Sequence, residues 1–271
     1  MQKLGYLLVL VAVIAAALLA VRWLNGKRDR RRLLLRKQRF DAETRAQIAE
    51  DFVLYGRLPV ATRDELDGLM HVFISEKGFE ACGGLESVTP HMQRVIAAQA
   101  CLLLLGINHN YYEKLRTILL YPGAYKAEGM HGAEDVRLGE SWGTGSVVLS
   151  WNSVVAGGRN PEDGHDVAIH EFAHQLDQRD GAGDGVPVLS STGLYREWAA
   201  VFRPAFEQLQ ARVEKGKRGV MDDYGAENPA EFFAVATETF YEKPEQLAKA
   251  YPDLFEQLRK YYGVDPREWL D

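Results

Sequence analysis

The chain has 271 residues, 46% of them hydrophobic and 26% charged, the balance of an ordinary globular protein with enough material for one sizeable core. Residues 1–39 hold ten Lys or Arg against one Asp, a net of +9, and the whole chain carries −6, which leaves −15 on residues 40–271. That acidic bulk excludes a nucleic-acid-binding surface there, and two cysteines without C-x-x-C spacing, Cys82 and Cys101, exclude a cysteine metal site and fit buried thiols or at most one disulfide.

The first predicted element is a membrane span. Residues 4–21 run for 18 residues without a charge and are rich in Leu, Val and Ala, about the length a helix needs to cross a bilayer. Trp23 follows at an interface position. Beyond the run lie Arg22, Lys27, Arg28, Arg30, Arg31, Arg32, Arg36, Lys37 and Arg39, against Lys3 alone before it. This asymmetry predicts a single-pass protein of the inner membrane whose remaining chain stays in the cytoplasm. The rival reading is a cleaved signal with a small-residue site near Ala15-Ala16-Ala17, which the dense arginine just after it opposes. The chain thus divides into an anchor at 1–26, a basic juxtamembrane linker at 27–40 and a domain at 41–271. The linker reads either as a solvated spacer or, through Leu33-Leu34-Leu35, as a basic helix on anionic headgroups.

Within the domain, residues 42–55 have the spacing of an amphipathic helix, with Ile48, Phe52 and Val53 apolar, and residues 62–74 that of a second, with Thr62 and Glu65 as a capping box. Residues 91–105 form a third, apolar enough to be buried. Short strands are predicted at 117–121 and 146–151, and another at 136–138. Strand 146–151 reads either as an edge that pairs with an extended peptide or as an ordinary core strand. No Gly or Pro interrupts 166–180, which predicts a helix of about four turns. Residues 194–213 read as a helix interrupted at Pro204, 229–241 as another, and 244–261 as a last one broken near Pro252. The sum is a helix-rich α+β domain with a small sheet packed near the 166–180 helix, preceded by one transmembrane helix.

The 166–180 helix carries His170-Glu171-Phe172-Ala173-His174, an H-E-x-x-H. Residues four apart share a helix face, so both imidazoles can point at one spot. Two neutral imidazoles at that spacing suit a tetrahedral zinc ion, and Glu171 between them can reach a zinc-bound water as general base. A catalytic zinc site takes a third protein ligand. The extension H-x-x-G-x-x-H is ruled out, because its positions hold Asp177 and Asp180. A carboxylate from a second helix is the other solution, with Glu227, Glu231, Glu238 and Glu242 as candidates. Glu231 is favoured and Glu238 is the runner-up on the same face. Glu231 also sits three residues after Asn228, where a capping box would account for it without metal. Asp166 and Asp177 are placed to hold the second nitrogens of the histidines, although Asp166 equally suits a helix start. His71, His91, His109, His131 and His165 have no ligand spacing among themselves.

The stretches Ile169-His170-Glu171-Phe172-Ala173-His174-Gln175-Leu176-Asp177 and Asp223-Tyr224-Gly225-Ala226-Glu227-Asn228-Pro229-Ala230-Glu231-Phe232-Phe233-Ala234-Val235 resemble the Mlc titration factor A family of zinc-dependent peptidases. So do Leu119-Leu120-Tyr121-Pro122 and the segments from Gly139-Glu140-Ser141-Trp142 to Val148-Leu149-Ser150-Trp151, and the similarity spans roughly residues 41–265. The resemblance implies a gluzincin-like, zincin-type catalytic domain, similar in its core to that of anthrax lethal factor. It implies His170, His174 and Glu231 as zinc ligands, Glu171 as general base, and Tyr224 as a tyrosine near the metal, where its phenol can serve the carbonyl oxygen. It also implies a regulatory partner, a glucose-transport repressor, although the membrane segment departs from the soluble family pattern.

Two functions are therefore expected. One is a membrane-anchored, cytoplasm-facing zinc metallopeptidase acting on a peptide or protein substrate. The other is a regulatory binding protein whose zinc domain docks a partner, for example a transcriptional repressor, with little proteolysis. The loop 216–223 is placed to cover the site.

Overall fold

The computed structural model of the chain describes residues 2–107, 109–123, 125–128, 134–137, 139–142 and 145–269, and the side chains of these apart from residues 2–5, 7–12, 125–128, 134–137 and 139–142. Helix α1 (Gln2–Leu35) is unbroken, so the apolar run and most of the basic segment share one rod. Among the described residues, no helix is long and apolar enough to cross a membrane. The expected transmembrane helix is not found there, and much of the 4–21 run lies outside the described side chains.

The basic end of α1 docks on the domain. Arg28, Arg32 and Arg36, spaced by four, form one stripe. Arg32 Nε and Nη2 both reach Glu76 at 2.7 Å, Arg28 reaches Glu113 at 2.9 Å and Arg36 reaches Glu65 at 2.9 Å. The Arg36 carbonyl lies so close to Gly68 that a Cβ there would stand 2.4 Å from it. The linker is thus helical, but its arginine stripe faces protein while Leu33 and Leu34 stay exposed.

Asp41 accepts the Thr44 N–H and opens α2 (Ala42–Asp51), followed by α3 (Val53–Arg57). The single helix expected over 42–55 breaks at Phe52, which turns extended (φ −140°, ψ 90°) and buries its ring. Helix α4 (Val60–Glu76) starts ahead of Thr62 with Pro59 at its cap, so the Thr62–Glu65 capping box is not made and Glu65 serves Arg36 instead. Next come β1 (Gly78–Ala81), α5 (Pro90–Leu102) capped by Thr89, β2 (Thr117–Tyr121), β3 (Tyr125–Glu128), β4 (Glu134–Arg137), β5 (Gly139–Trp142) and β6 (Ser146–Ser150).

The main sheet has the order β1-β2-β6-β5. Strands β1, β2 and β6 run parallel, with Thr117 opposite Ser146 and Tyr121 opposite Ser150, and β5 lies antiparallel to β6 at the edge. The strand predicted at 146–151 is therefore internal, the core alternative, and among the described residues β5 is the strand at that edge. It stops at Ser150 because that hydroxyl accepts the Ser153 N–H and starts α6 (Trp151–Arg159), a helix the sequence reading missed. The strand predicted at 136–138 is met by β4, which pairs with β3 as a separate ribbon; Leu138 lies outside the described residues.

Helix α7 (Val167–Asp177) follows, then α8 (Thr192–Glu214), a 3₁₀ turn at Asp223–Ala226, α9 (Pro229–Glu242), α10 (Pro244–Ala250), α11 (Pro252–Tyr262) and a second 3₁₀ turn at Pro266–Trp269. At 11 residues, α7 is shorter than the four turns expected. Helix α8 runs through Pro204 instead of breaking there, because Trp198 and Phe202 before it and Ala205 and Leu209 after it are all buried on one core. The break before Pro252 falls where it was expected.

The core forms around α7 and α9, which pack on each other. Phe172 sits 5.7 Å from the Phe73 ring and 5.3 Å from Tyr112, while Phe232 and Phe233 meet Phe202. Each such buried ring contributes roughly 1.5–3 kcal/mol, so both site-bearing helices are held by their apolar faces. Tyr111 and Tyr112 adopt left-handed φ of 59° and 52°, and the buried Lys77 ammonium pins that bend by donating to the carbonyls of Tyr112 (2.6 Å) and Leu115 (2.9 Å).

Candidate metal centre

Helix α7 begins at Asp166, whose carboxylate accepts the N–H groups of Ala168 (2.9 Å) and Ile169 (3.0 Å). This cap fixes the first turn, and the next two turns carry His170 and His174 on one face. Helix α9 begins at Asn228, whose side-chain oxygen accepts from Ala230 and Glu231. Asn228 caps the turn, and the Glu231 carboxylate points inward to the histidines.

The three side chains meet closely. His170 Nε2 lies 3.0 Å from Glu231 Oε2, His174 Nε2 lies 3.2 Å from the same oxygen, and the two Nε2 atoms are 3.2 Å apart. A tetrahedral ion with bonds near 2.0–2.1 Å separates its ligands by about 3.3 Å. His170, His174 and Glu231 form the one group of this kind among the described residues. The residues therefore fit a metal ion, and two imidazoles with one carboxylate are a borderline donor set that suits zinc and other first-row ions better than calcium or magnesium.

Glu171 lies on α7 between the two histidines, close enough for His170, His174 and Glu231 to act on its charge. It is 6% exposed, and its Oε2 has no hydrogen-bond partner. Burial pushes its carboxyl up to about 7, against the opposing pull of His170 and His174. Burial also works to raise Glu231, but the hydrogen bonds from His170 and His174 outweigh it and hold that carboxyl at about 2. Tyr224 sits on the 3₁₀ turn, whose start is fixed by Asp222 accepting the Tyr224 N–H at 2.7 Å. Its ring centroid is 6.0 Å from that of His170, and burial together with the Glu231 charge pushes its phenol up to about 12. The phenol thus stays protonated as a donor.

Of the two aspartates considered for the second nitrogens of the histidines, Asp166 takes its alternative reading, the helix start, with its Oδ1 on Ala168 and Ile169. Asp177 accepts the Gly185 N–H at 2.9 Å and anchors the following loop. Glu238, expected as the runner-up ligand, does the work instead: its Oε1 lies 2.6 Å from His170 Nδ1 and its Oε2 accepts the Asp166 N–H at 2.8 Å. The only sequence signal was its place seven residues after Glu231, on the same face. Glu227 is exposed, and Glu242 is buried behind Asp166 and Glu238, whose charges add to burial and push it up to about 10.

The other described histidines stay out of the cluster. His71 packs on Phe40, His91 pairs with Asp51, His109 packs on Tyr111 and His165 pairs with Asp222. His131 lies outside the described residues. Both cysteines are free, Cys101 in the core.

A helix-rich α+β domain that brings two histidines of an H-E-x-x-H helix onto a glutamate of a second helix defines a metallopeptidase-like protein. The chain belongs to the glucose-regulated metallo-peptidase M90 family, whose model matches residues 25–263. It is similar to an uncharacterized protein of Synechocystis sp., 38% identical over 82% of this chain and 83% of that one. It is also similar to Mlc titration factor A of Pectobacterium atrosepticum, 33% identical over 66% of this chain and 71% of the relative, and to that of Yersinia pestis, 31% identical over 71% and 74%.

Proposed function

We propose that the chain is a membrane-anchored zinc metallopeptidase whose catalytic domain faces the cytoplasm. The observation that carries the catalytic reading is the convergence of His170, His174 and Glu231 at 3.0–3.2 Å beside the unpaired Glu171 carboxylate. His170, His174 and Glu231 would hold a zinc ion, which when bound would acidify a water and polarise a peptide carbonyl. Glu171 accepts the proton of the attacking water and returns it to the leaving amine. Tyr224 donates a hydrogen bond to the carbonyl oxygen as charge builds on it. Strand β5 offers an extended peptide a sheet edge to pair with.

The anchor rests on the uncharged run at 4–21, on exposed Val13, Ile14, Leu18, Leu19 and Trp23 along α1, and on the basic residues after them. The division into anchor at 1–26, linker at 27–40 and domain at 41–271 goes with it. A reporter fused at the C-terminus is expected to be active in the cytoplasm; activity confined to the periplasm would reverse the orientation.

A second reading is regulatory: the domain docks a partner protein and hydrolyses little. The name of the relatives, Mlc titration factor A, favours it. The two readings part at Glu171. With a peptide library and the full-length chain, Glu171→Gln is expected to lower the cleavage rate by roughly 10²–10⁴ while leaving zinc bound. A wild-type chain that binds a partner and cleaves no peptide would favour the regulatory reading.

A further inference from the structure

We propose that Glu238 is the positioning residue that readies His170 for the metal, an inference that rests on the zinc reading of this site. Glu238 is 5% exposed and bridges two groups at once. Its Oε2 accepts the Asp166 N–H at 2.8 Å, at the residue that caps α7, and its Oε1 meets His170 Nδ1 at 2.6 Å. An ionised carboxylate only accepts hydrogen bonds. The contact at Nδ1 therefore keeps a proton on Nδ1, so that when the ring is neutral, the form that binds a metal, the Nε2 lone pair is the free one. That Nε2 is the atom lying 3.0 Å from Glu231 and 3.2 Å from His174. One side chain thus sets the tautomer of the imidazole and ties its ring to the start of its own helix.

The chemistry excludes close substitutes. A glutamine has one acceptor oxygen and one donor nitrogen at its tip. With the oxygen toward His170, its NH₂ faces the buried Asp166 N–H. With the oxygen toward Asp166, its NH₂ faces Nδ1, which must then accept, so the ring proton moves to Nε2 and blocks the ligating lone pair. An aspartate is one methylene too short to span both partners. Asp166 spends its Oδ1 on Ala168 and Ile169 and Asp177 its Oδ2 on Gly185, and at His170 Nδ1 it is Glu238 that stands within hydrogen-bond distance.

The test compares wild type and Glu238→Gln as full-length chains, titrated with zinc against a competing chelator. Glu238→Gln is expected to weaken zinc binding by roughly 10–100-fold, the usual cost of removing such a partner, measured at a temperature where both metal-free chains are folded. An affinity within twofold of wild type would overturn the role of Glu238. A wild type that takes up no zinc would instead overturn the metal reading, and the inference with it. If Glu238→Gln does not fold, zinc-loaded wild type decides alone. Its NMR spectrum is expected to show a strongly deshielded exchangeable proton on His170 Nδ1, and its absence would overturn the proposal.

Discussion

Glu171 and Glu231 are both largely buried carboxylates next to the same two imidazoles, yet they end at about 7 and about 2. The difference lies in hydrogen bonding: Glu231 has both histidines, and the Glu171 Oε2 has none. Groups pushed apart in this way divide into ligand and proton carrier. In the proposed reaction Tyr224 acts as a neutral donor. Tyr224→Phe is expected to cut kcat by roughly 10²–10³, the loss seen when one oxyanion donor is removed, with zinc affinity unchanged. Steady-state kinetics with metal titration checks this, and an unchanged kcat would remove Tyr224 from the reaction. At this scale the sequence was informative where chemistry is local: His170, Glu171 and His174 follow from a fixed spacing. Glu238 did not, because both of its donors come from a helix 68 to 72 residues away.

The element scale turns on α7 and α9. Beside the Asp166 cap, α9 buries Glu238 and Glu242. Burial, with Asp166 and Glu238 nearby, pushes Glu242 up to about 10, far above its unfolded value near 4.3. Between about 4.3 and 10 the folded chain binds the extra proton, so this group's contribution is present at acid pH and lost as pH rises. Glu242→Gln is expected to remove that slope and stabilise the protein by about 1 kcal/mol or more at pH 8, roughly 2–4 °C in Tm, with little gain at pH 5. Thermal melts across pH check it; a lower Tm at pH 8 would show that Glu242 is ionised and paired. Element boundaries were legible where a local signal was strong, as at Asn228 and Pro252. They were lost where packing overrode it. Phe52 leaves the helix to bury its ring, α8 carries Pro204 through because its apolar residues share one core, and β6 became internal because β5 pairs on its far side.

For the whole molecule, the main question is how α1 is joined to the domain. The Arg28-Arg32-Arg36 stripe welds its basic end to α4 and to the bend at Tyr111, and Lys114 of that same segment reaches the carbonyl of Gln178 at the end of α7. Sequence showed the basic charges but not their acidic partners, which lie 29 to 85 residues away. The Arg32–Glu76 pair is mostly shielded from water, so Arg32→Ala is expected to cost roughly 1.5–3 kcal/mol and to speed tryptic cleavage around Arg36 and Lys37. Unchanged digestion would mean that the docking is held by other contacts. A second whole-molecule consequence concerns charge. Glu171, Glu231 and Glu238 crowd around two histidines, and a divalent cation would offset part of that charge, so chelation is expected to lower Tm and zinc to restore it.

The most direct measurement is metal analysis of the full-length chain beside Glu231→Ala. The wild type is expected to hold about one zinc per chain, and Glu231→Ala to lose it while keeping its secondary structure. A wild type that takes up no zinc, or a Glu231→Ala chain that binds it as tightly, would contradict the centre described here.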